Sequence, residues 1–219
     1  MKSEPLHYET VTPLLKTVLY KIMACPLFEP FRLVGGTALS LQCGHRVSDD
    51  IDLFSEAAFG TLDFKAMQDW LYAQFPYCAG DCGDPVGFGA SYIVGADRNN
   101  NVKVDLFYTD PFIRPTVQQD GIRLTDEADI IAMKLEVVAS GGRKKDFWDL
   151  HALHERYTLS QMLDWYEERN PYTANRPQAI AGLTDFSRAD TEVDPRCLKH
   201  KVWQLIKLDM TEWVQAELR

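Results

Sequence analysis

The chain lacks the sequence features of a membrane-spanning protein, of a secreted protein and of a zinc-ribbon protein. No apolar run in its 219 residues approaches the roughly 20 residues of a membrane-spanning helix, and the first residues carry no apolar stretch typical of a secretion signal. Its five cysteines form no Cys-x-x-Cys pair, which argues against a disulfide framework and a zinc ribbon. These absences predict a cytoplasmic protein with reduced thiols and no membrane partner.

Positive charge is also scarce. The sequence has 23 lysine and arginine residues against 32 aspartate and glutamate residues, a formal net charge of -9. Phosphate contacts dominate nucleic-acid affinity and need a clustered positive field, so a broad nucleic-acid-binding surface is not expected. Two short basic groups, residues 143–145 and 199–201, still allow local patches, although such runs are often only solvated.

A glycine pair opens the most informative stretch of the chain. Residues 31–34 are apolar enough for a strand end, and Gly35 and Gly36 permit a turn that no side chain obstructs. A short helix is predicted over 37–44, with Gly44 placed to end it in a left-handed conformation. Free amides at a helix N-terminus behind a glycine turn favour phosphate, although a glycine pair taken alone is often an ordinary turn.

Carboxylates follow this glycine pair. Residues 50–54 read as a strand, so Asp50 and Asp52 project from one side with Cα atoms roughly 6.5 to 7 Å apart. Residues 102–107 form another β-rich run, and a strand pairing beside the first would place Asp105 next to both. Three clustered carboxylates repel each other unless a cation lies among them, so convergence predicts a metal site. An isolated Asp-x-Asp would be only a solvated strand end.

The combined pattern resembles a known signature. Residues 35–39 (Gly-Gly-Thr-Ala-Leu) and 46–54 (Arg-Val-Ser-Asp-Asp-Ile-Asp-Leu-Phe) resemble that of the nucleotidyltransferase superfamily, and more closely that of its AbiEii/AbiGii toxin family. The similarity continues in residues 129–135, which resemble the family's lysine-bearing helix, and in 145–150, which resemble its Lys-Asp-Phe-x-Asp-Leu segment. The resemblance covers about residues 30–155.

This resemblance implies an α+β fold, with a nucleotidyltransferase-like mixed sheet and flanking helices in residues 1–124 and a helical C-terminal lobe in 125–219. It implies transfer of a nucleoside monophosphate from an NTP to an acceptor such as a tRNA end, a protein hydroxyl or a small molecule. It also implies a toxin of an abortive-infection or toxin-antitoxin system with a cognate antitoxin as partner. Two alternatives remain: a non-catalytic nucleotide-sensing or partner-binding module, and a metal-dependent hydrolase.

The resemblance also assigns roles to residues of the site. Asp50 and Asp52 would hold Mg²⁺ or Mn²⁺, and Asp105 would help bind the metal and take a proton from the acceptor. Lys134 would neutralise charge on the triphosphate. The residues expected to contact the nucleotide are Gly35, Gly36, Thr37, Arg46, Ser48, Lys134 and Asp146.

Several of these residues also have a purely structural interpretation. Lys134 lies in an apolar helical run, where a buried lysine is rare unless a phosphate or an acidic cluster pairs with it. Alternatively, its side chain extends along the protein surface and keeps its charge in water. Arg46 could contact phosphates or pair with Asp49, and Asp146 could reach the site or cap its own helix. Thr37 could likewise cap the helix that it begins.

The remaining pattern predicts the elements around the site. A loop is expected over 80–89, then a strand over 91–94, and a hairpin turn over 97–100 should join it to the strand of Asp105. Helices are expected over 8–24 with an irregularity at Pro13, over 63–75, from 125 onward, and over 145–157, 160–168 and 198–218.

Overall fold

In the computed structural model, which describes residues 5–84 and 87–218, a mixed sheet lies among helices. Positions 1–4, 85, 86 and 219 lie outside the described residues. Part of the N-terminal segment that was predicted to carry no secretion signal, and part of the loop predicted over 80–89, therefore also lie outside them. Within the described ranges, no helix is both long enough and apolar enough to span a bilayer.

The sheet has seven strands within the described ranges. In chain order they are β1 (Arg32–Leu33), β2 (Asp50–Ser55), β3 (Tyr77–Gly80), β4 (Gly89–Gly95), β5 (Asn101–Tyr108), β6 (Val117–Gln119) and β7 (Ile122–Leu124). Their order across the sheet is β3-β4-β5-β2-β1-β7-β6. The β2–β5 and β1–β7 pairs are parallel and the other neighbours are antiparallel, which confirms the predicted mixed sheet.

Eight α-helices accompany these strands in the same part of the chain. They are α1 (Pro13–Ala24), α2 (Gly35–Cys43), α3 (Phe64–Gln74), α4 (Glu127–Ala139), α5 (Lys144–Leu153), α6 (Leu159–Arg169), α7 (Arg176–Gly182) and α8 (Trp203–Glu217). Short 3-10 turns occur at Tyr8–Thr10, Pro26–Phe28 and Ala189–Thr191.

Alternation along the central strands separates the core from the site. Ile51 and Leu53 of β2 and Val104 and Leu106 of β5 are fully buried in the core on the face that contacts α1. Successive side chains of a strand point to opposite faces, so the residues between them, including Asp52, project from the other face. The hydrophobic core therefore holds the strands in place without covering their polar face.

The first predicted helix is wrong in its start. Tyr8–Thr10 forms only a 3-10 turn, and the α-helix begins at Pro13, where the Thr12 side chain accepts a hydrogen bond from the Leu15 amide at 3.1 Å. Proline suits the first helical turn because it has no N–H to leave unpaired. Pro13 therefore starts the helix instead of interrupting one.

The structure also contains elements that the pattern did not predict. These are β3, the β6–β7 hairpin and α7, all short and all fixed by pairing or packing with distant segments. The last helix begins at Trp203, because residues 197–201 instead form a turn in which the amides of Lys199 and Lys201 donate to Cys197 Sγ. The proposed boundary between residues 124 and 125 stays a prediction; one hydrophobic core continues across it.

Candidate active site

Helix α2 begins directly after β1, at the glycine pair itself. The helix starts two residues earlier than predicted and ends as predicted, with Gly44 in the left-handed conformation at φ +63°. Gly35 also has a positive φ, +67°, and a Cβ there would lie 2.9 Å from Asp52 Oδ2. A Cβ on Gly36 would collide with the Arg46 guanidinium. Absence of side chains therefore brings the α2 N-terminus against Asp52.

The three predicted acids converge on the open face of the sheet. Asp52 pairs in register with Asp105 on the neighbouring parallel strand, and Asp50 lies two residues earlier on the same face. Burial raises the pKa of Asp52, and the charges of Asp105 and Asp50 raise it further. The predicted neighbourhood of the three carboxylates is thus present, and they repel one another.

Asp105 is held in a particular way. One of its carboxylate oxygens accepts a hydrogen bond from Lys103 Nζ at 2.5 Å. The other, Oδ1, is buried and has no hydrogen-bond partner within the described residues. In residues 5–84 and 87–218, no group of three His, Cys, Asp or Glu side chains stands ready to hold a metal ion. The three carboxylates are close to one another but are not arranged as a complete set of metal ligands.

Two hydroxyls connect α2 to the start of β2. Thr37 is buried, its Oγ1 lies 2.8 Å from Ser48 Oγ, and it also donates to the Asp50 carbonyl oxygen. Thr37 therefore positions the strand that carries the acids. Ser48, in contrast, lines the open cavity beside Asp50.

Lys134 and Asp146 belong to a buried ionic network beneath the acids. Lys134 Nζ lies 2.6 Å from Asp146 Oδ1 and 2.8 Å from Asp149 Oδ2, and all three side chains are buried. Burial alone would lower the pKa of Lys134, but Asp149 and Asp146 raise it. The acidic partner expected for a buried lysine is therefore supplied by α5.

Arg46 completes the same network instead of facing Asp49. Its Nε lies 2.6 Å and a terminal nitrogen 2.9 Å from the two oxygens of Asp149, which also contacts His45 Nε2 at 2.8 Å. Although burial opposes ionisation of Asp149, Arg46 and Lys134 hold its pKa well below the usual range. The Arg46 charge is thus used in a buried pair.

Lys145 is a site residue that the sequence analysis named only as a member of a basic run and of a family-like segment. It lies in the first turn of α5, lines the cavity of the acids, and places Nζ 4.0 Å from Asp50 Oδ2. Burial and the nearby charges of Arg143 and Lys134 lower the pKa of Lys145. The basic run at 143–145 and the family-like segment at 145–150 were the signals for it, and the helix register decides which member of the run faces the acids.

The other two members of that basic run have structural partners. Arg143 caps α5 through Asp146, with Nε 3.0 Å from Asp146 Oδ2. Lys144 is buried and turns away to the Glu192 carbonyl oxygen and to Asp194 Oδ1, the latter at 2.9 Å. Arg143 also lines the cavity, but its guanidinium contacts Asp146, whereas the charge of Lys145 is directed to Asp50.

These residues surround a cavity of about 480 Å³, within the size range of small-ligand sites. The lining includes the glycine pair, the three acids, Ser48, Lys134 and Lys145. It also includes apolar side chains of α4 together with Asp110, Glu136 and Arg169. Charged and apolar side chains therefore share the walls of one cavity.

Comparisons with known proteins agree with this geometry. Residues 17–212 match the family model described as nucleotidyl transferase AbiEii toxin, type IV toxin-antitoxin system. An uncharacterized protein of Aquifex aeolicus is 30% identical over an alignment of 153 residues, and the match covers 65% of this chain and 66% of that protein. The chain thus matches just under two thirds of that relative's length.

Two solved structures are similar to the whole arrangement. JHP933 from Helicobacter pylori has a TM-score of 0.59 at 16% identity, covering 96% of this chain and 89% of that one. MenT4, a nucleotidyltransferase toxin from Mycobacterium tuberculosis, has a TM-score of 0.51 at 13% identity, covering 84% and 75%. At these identities the likeness concerns the fold, which is that of a nucleotidyltransferase.

Proposed function

Because this chain belongs to the family of AbiEii nucleotidyl transferase toxins, we propose that it transfers a nucleoside monophosphate from an NTP to an acceptor, releasing pyrophosphate. One observation carries the proposal. Asp50, Asp52 and Asp105 converge on one face of two parallel strands, directly beside the N-terminus of α2. Metal-binding carboxylates and phosphate-binding amides are recurring parts of phosphoryl-transfer sites.

The triphosphate would occupy the part of the cavity beside the glycine pair and the acids. Backbone amides at Gly35 and Gly36 begin α2 and suit an anion, because they are unpaired within the helix and lie at its positive end. Lys145 would contact the phosphates directly, since it lines the cavity and is only half-buried. Lys134 also lines it and adds positive charge from below.

The acids fit a divalent cation such as Mg²⁺ or Mn²⁺. A cation among the carboxylates would offset the burial and the repulsion that raise the pKa of Asp52. Oxygen ligands are those that these hard cations prefer. Asp50, Asp52 and Asp105 would hold the ion, and when bound it would offset charge on the transferred phosphate. Lys103 would have to release Asp105 for this to occur.

At the acceptor side, Asp105 would take the proton of the attacking hydroxyl. Its Oδ1 is buried and has no hydrogen-bond partner in the described chain, and a hydroxyl donor would satisfy it. We propose a tRNA end as acceptor and a cognate antitoxin as partner, within toxin-antitoxin or abortive-infection biology. The family description as a toxin of a type IV toxin-antitoxin system supports the antitoxin and the biology.

The test is incubation of the purified protein with Mg²⁺, each α-labelled NTP in turn and total cellular RNA, beside the Asp52→Ala variant. Label entering a tRNA-sized band with the wild type alone would support both the reaction and the acceptor. Label entering protein or a small molecule would keep the reaction and replace the acceptor. NTP hydrolysis without any labelled acceptor would overturn the transferase in favour of a hydrolase.

A further inference from the structure

The open face of the sheet continues past the three acids, across β5 and onto β4. Residues that pair in register share a face, so Ser91 of β4 lies beside Asp105, and Ile93 of β4 lies beside Lys103. Ser91, Ile93 and Lys103 are all exposed, and the apolar Ile93 keeps 41% of its surface in solvent. The face next to the acids is therefore open in the part of the chain that the structure describes.

The helices that contact β4 lie on the other side of the strand. Tyr92 alternates with Ser91 and Ile93, so it points away from the open face. It is fully buried, and its hydroxyl donates a hydrogen bond to Gln68 Oε1 of α3 at 3.3 Å. Helix α1 also contacts β4, from the core face. These two helices therefore cover the core face and leave the face of Ser91 and Ile93 to solvent.

Lys103 brings a positive charge to this open face. It is the register partner of Asp50, and its Nζ lies 2.5 Å from Asp105 Oδ2. Its side chain is 49% exposed, whereas that of Lys134 is buried in its ionic network. A divalent cation held by the acids would take over the pairing with Asp105 and repel the ammonium. The charge of Lys103 would then be free at the edge of the site.

The order of the strands fixes the side from which an acceptor attacks. In the proposed reaction, pyrophosphate leaves toward the N-terminus of α2, which follows β1 and lies against Asp52. The attacking and leaving oxygens lie roughly in line across the transferred phosphorus. Strand β1 lies on one side of β2, and β5 followed by β4 lies on the other. The attacking hydroxyl must therefore approach from the side of β5 and β4.

We propose that the open face of β4 and β5 receives the acceptor as the end of a nucleic-acid strand, positioned by Lys103. This inference rests on the proposed function. Lys103 binds the phosphate next to the attacking hydroxyl, and Asp105, on the same face of β5, takes the proton. A hydroxyl on a protein side chain carries no such phosphate beside it. Ser91 and Ile93 offer a hydroxyl and an apolar surface to the last sugar and base.

The experiment measures equilibrium binding of bulk tRNA, in Mg²⁺ buffer without NTP and at several salt concentrations. Lys103→Gln removes one phosphate contact, so it should weaken binding by about 10-fold and lower the slope of log affinity against log salt by about one. Lys103→Arg keeps the charge and should restore both quantities. Lys65→Gln, an exposed change on α3 behind the other face of the sheet, should alter neither.

NTP binding in the absence of RNA separates Lys103 from the residues of the triphosphate. Lys103→Gln should leave NTP affinity unchanged. A loss of NTP affinity with unaltered RNA affinity would place Lys103 at the triphosphate and overturn the proposal. Unaltered RNA affinity and salt slope in Lys103→Gln would also overturn it.

Transfer from α-labelled NTP by the wild type separates this inference from the proposed function. A wild type that labels a protein or a small molecule and does not bind RNA would overturn the nucleic-acid acceptor, while the transferase stands. A folded wild type that labels no acceptor of any kind would overturn the proposed function together with this inference. Thermal unfolding of each variant checks that the fold is intact.

Discussion

Asp52 of β2 and Asp105 of β5 are register partners on two parallel strands, so two carboxylates face each other across the open side of the sheet. The arrangement stores repulsion: burial and the neighbouring acids raise the pKa of Asp52. A cation between them would relieve it. Function and stability therefore make opposite demands on this pair.

Asp52→Asn should stabilise the metal-free protein and abolish nucleotide transfer. The pKa of Asp52 is raised above that of the unfolded chain, so its ionisation favours unfolding, and the cost appears as pH rises through the raised value. A gain of ~1 kcal/mol corresponds to about 2 to 4 °C in Tm for a chain of this size. Thermal unfolding of the wild type and the variant at pH 7 and pH 4 measures this gain. The difference in Tm between the two proteins should be smaller at pH 4 than at pH 7. A variant with a lower Tm than the wild type at pH 7 would contradict this explanation.

Lys145→Ala should weaken NTP binding by about 10-fold, the loss of one charge-assisted contact, with little change in Tm. The adjacent Lys144→Ala is the matched control. Lys144 pairs with Asp194 and with the Glu192 carbonyl outside the cavity, so its loss should lower the Tm and leave NTP affinity unchanged. Nucleotide titration and thermal unfolding of both variants test these roles. Weaker NTP binding in Lys144→Ala with unchanged binding in Lys145→Ala would contradict the assignment of Lys145 to the phosphates.

Asp149→Asn should destabilise the fold by about 3 to 5 kcal/mol, because it leaves buried cationic partners without their shared carboxylate. Denaturant unfolding measures the loss. Asp164→Asn, which breaks an exposed pair with Arg176, should cost less than about 1 kcal/mol. Similar losses in the two variants would show that the buried network contributes no more than a surface pair.

The same network should make the stability of the fold fall at low pH. The pKa of Asp149 is held well below its usual range, so its stabilisation is present above the unfolded value of about 4 and is lost as pH falls through the folded value. Free energies of unfolding between pH 5 and pH 2 should therefore fall more steeply in the wild type than in Asp149→Asn. Parallel curves would contradict this.

Gly35→Ala should inactivate the protein more than it destabilises it. The new methyl group would lie 2.9 Å from Asp52 Oδ2 in a backbone conformation that suits glycine, and so would displace the carboxylate. Gly87→Ala, where a Cβ would have no atom of the described residues within 4 Å beyond its chain neighbours, should change neither activity nor Tm. Nucleotide-transfer rates and Tm values of both variants test this. An active Gly35→Ala protein would show that activity does not depend on the close approach of residue 35 to Asp52.

Local pattern accounts for much of the fold around the site. The alternation of residues 50–54 placed Asp50 and Asp52 on one face, and the parallel register of β2 and β5 brought Asp105 to them as expected. Gly44 ended its helix as predicted, because a left-handed cap is a property of a few consecutive residues. The elements that escaped prediction, such as β3 and the β6–β7 hairpin, owe their existence to pairing with distant strands.

Charge partners show where sequence reasoning ends. That a lysine in an apolar helix must have a partner follows from the cost of burying a charge, and Lys134 has one. The sequence does not reveal that Asp146 and Asp149 are the partners, or that Arg46 joins them, because these pairs span 12 to 103 positions along the chain.

The sequence by itself determined the family, the glycine pair and the local strands that carry the acids, because periodicity and glycine act over a few residues. The parallel pairing of β2 with β5, which brings Asp105 to Asp52, is a tertiary relation. Only the tertiary structure decided that Lys145 of the three basic neighbours faces Asp50, and that Glu136 and Asp110 share a cavity with the acids. These relations depend on how α4 and α5 pack against the sheet, and packing is a property of the whole core.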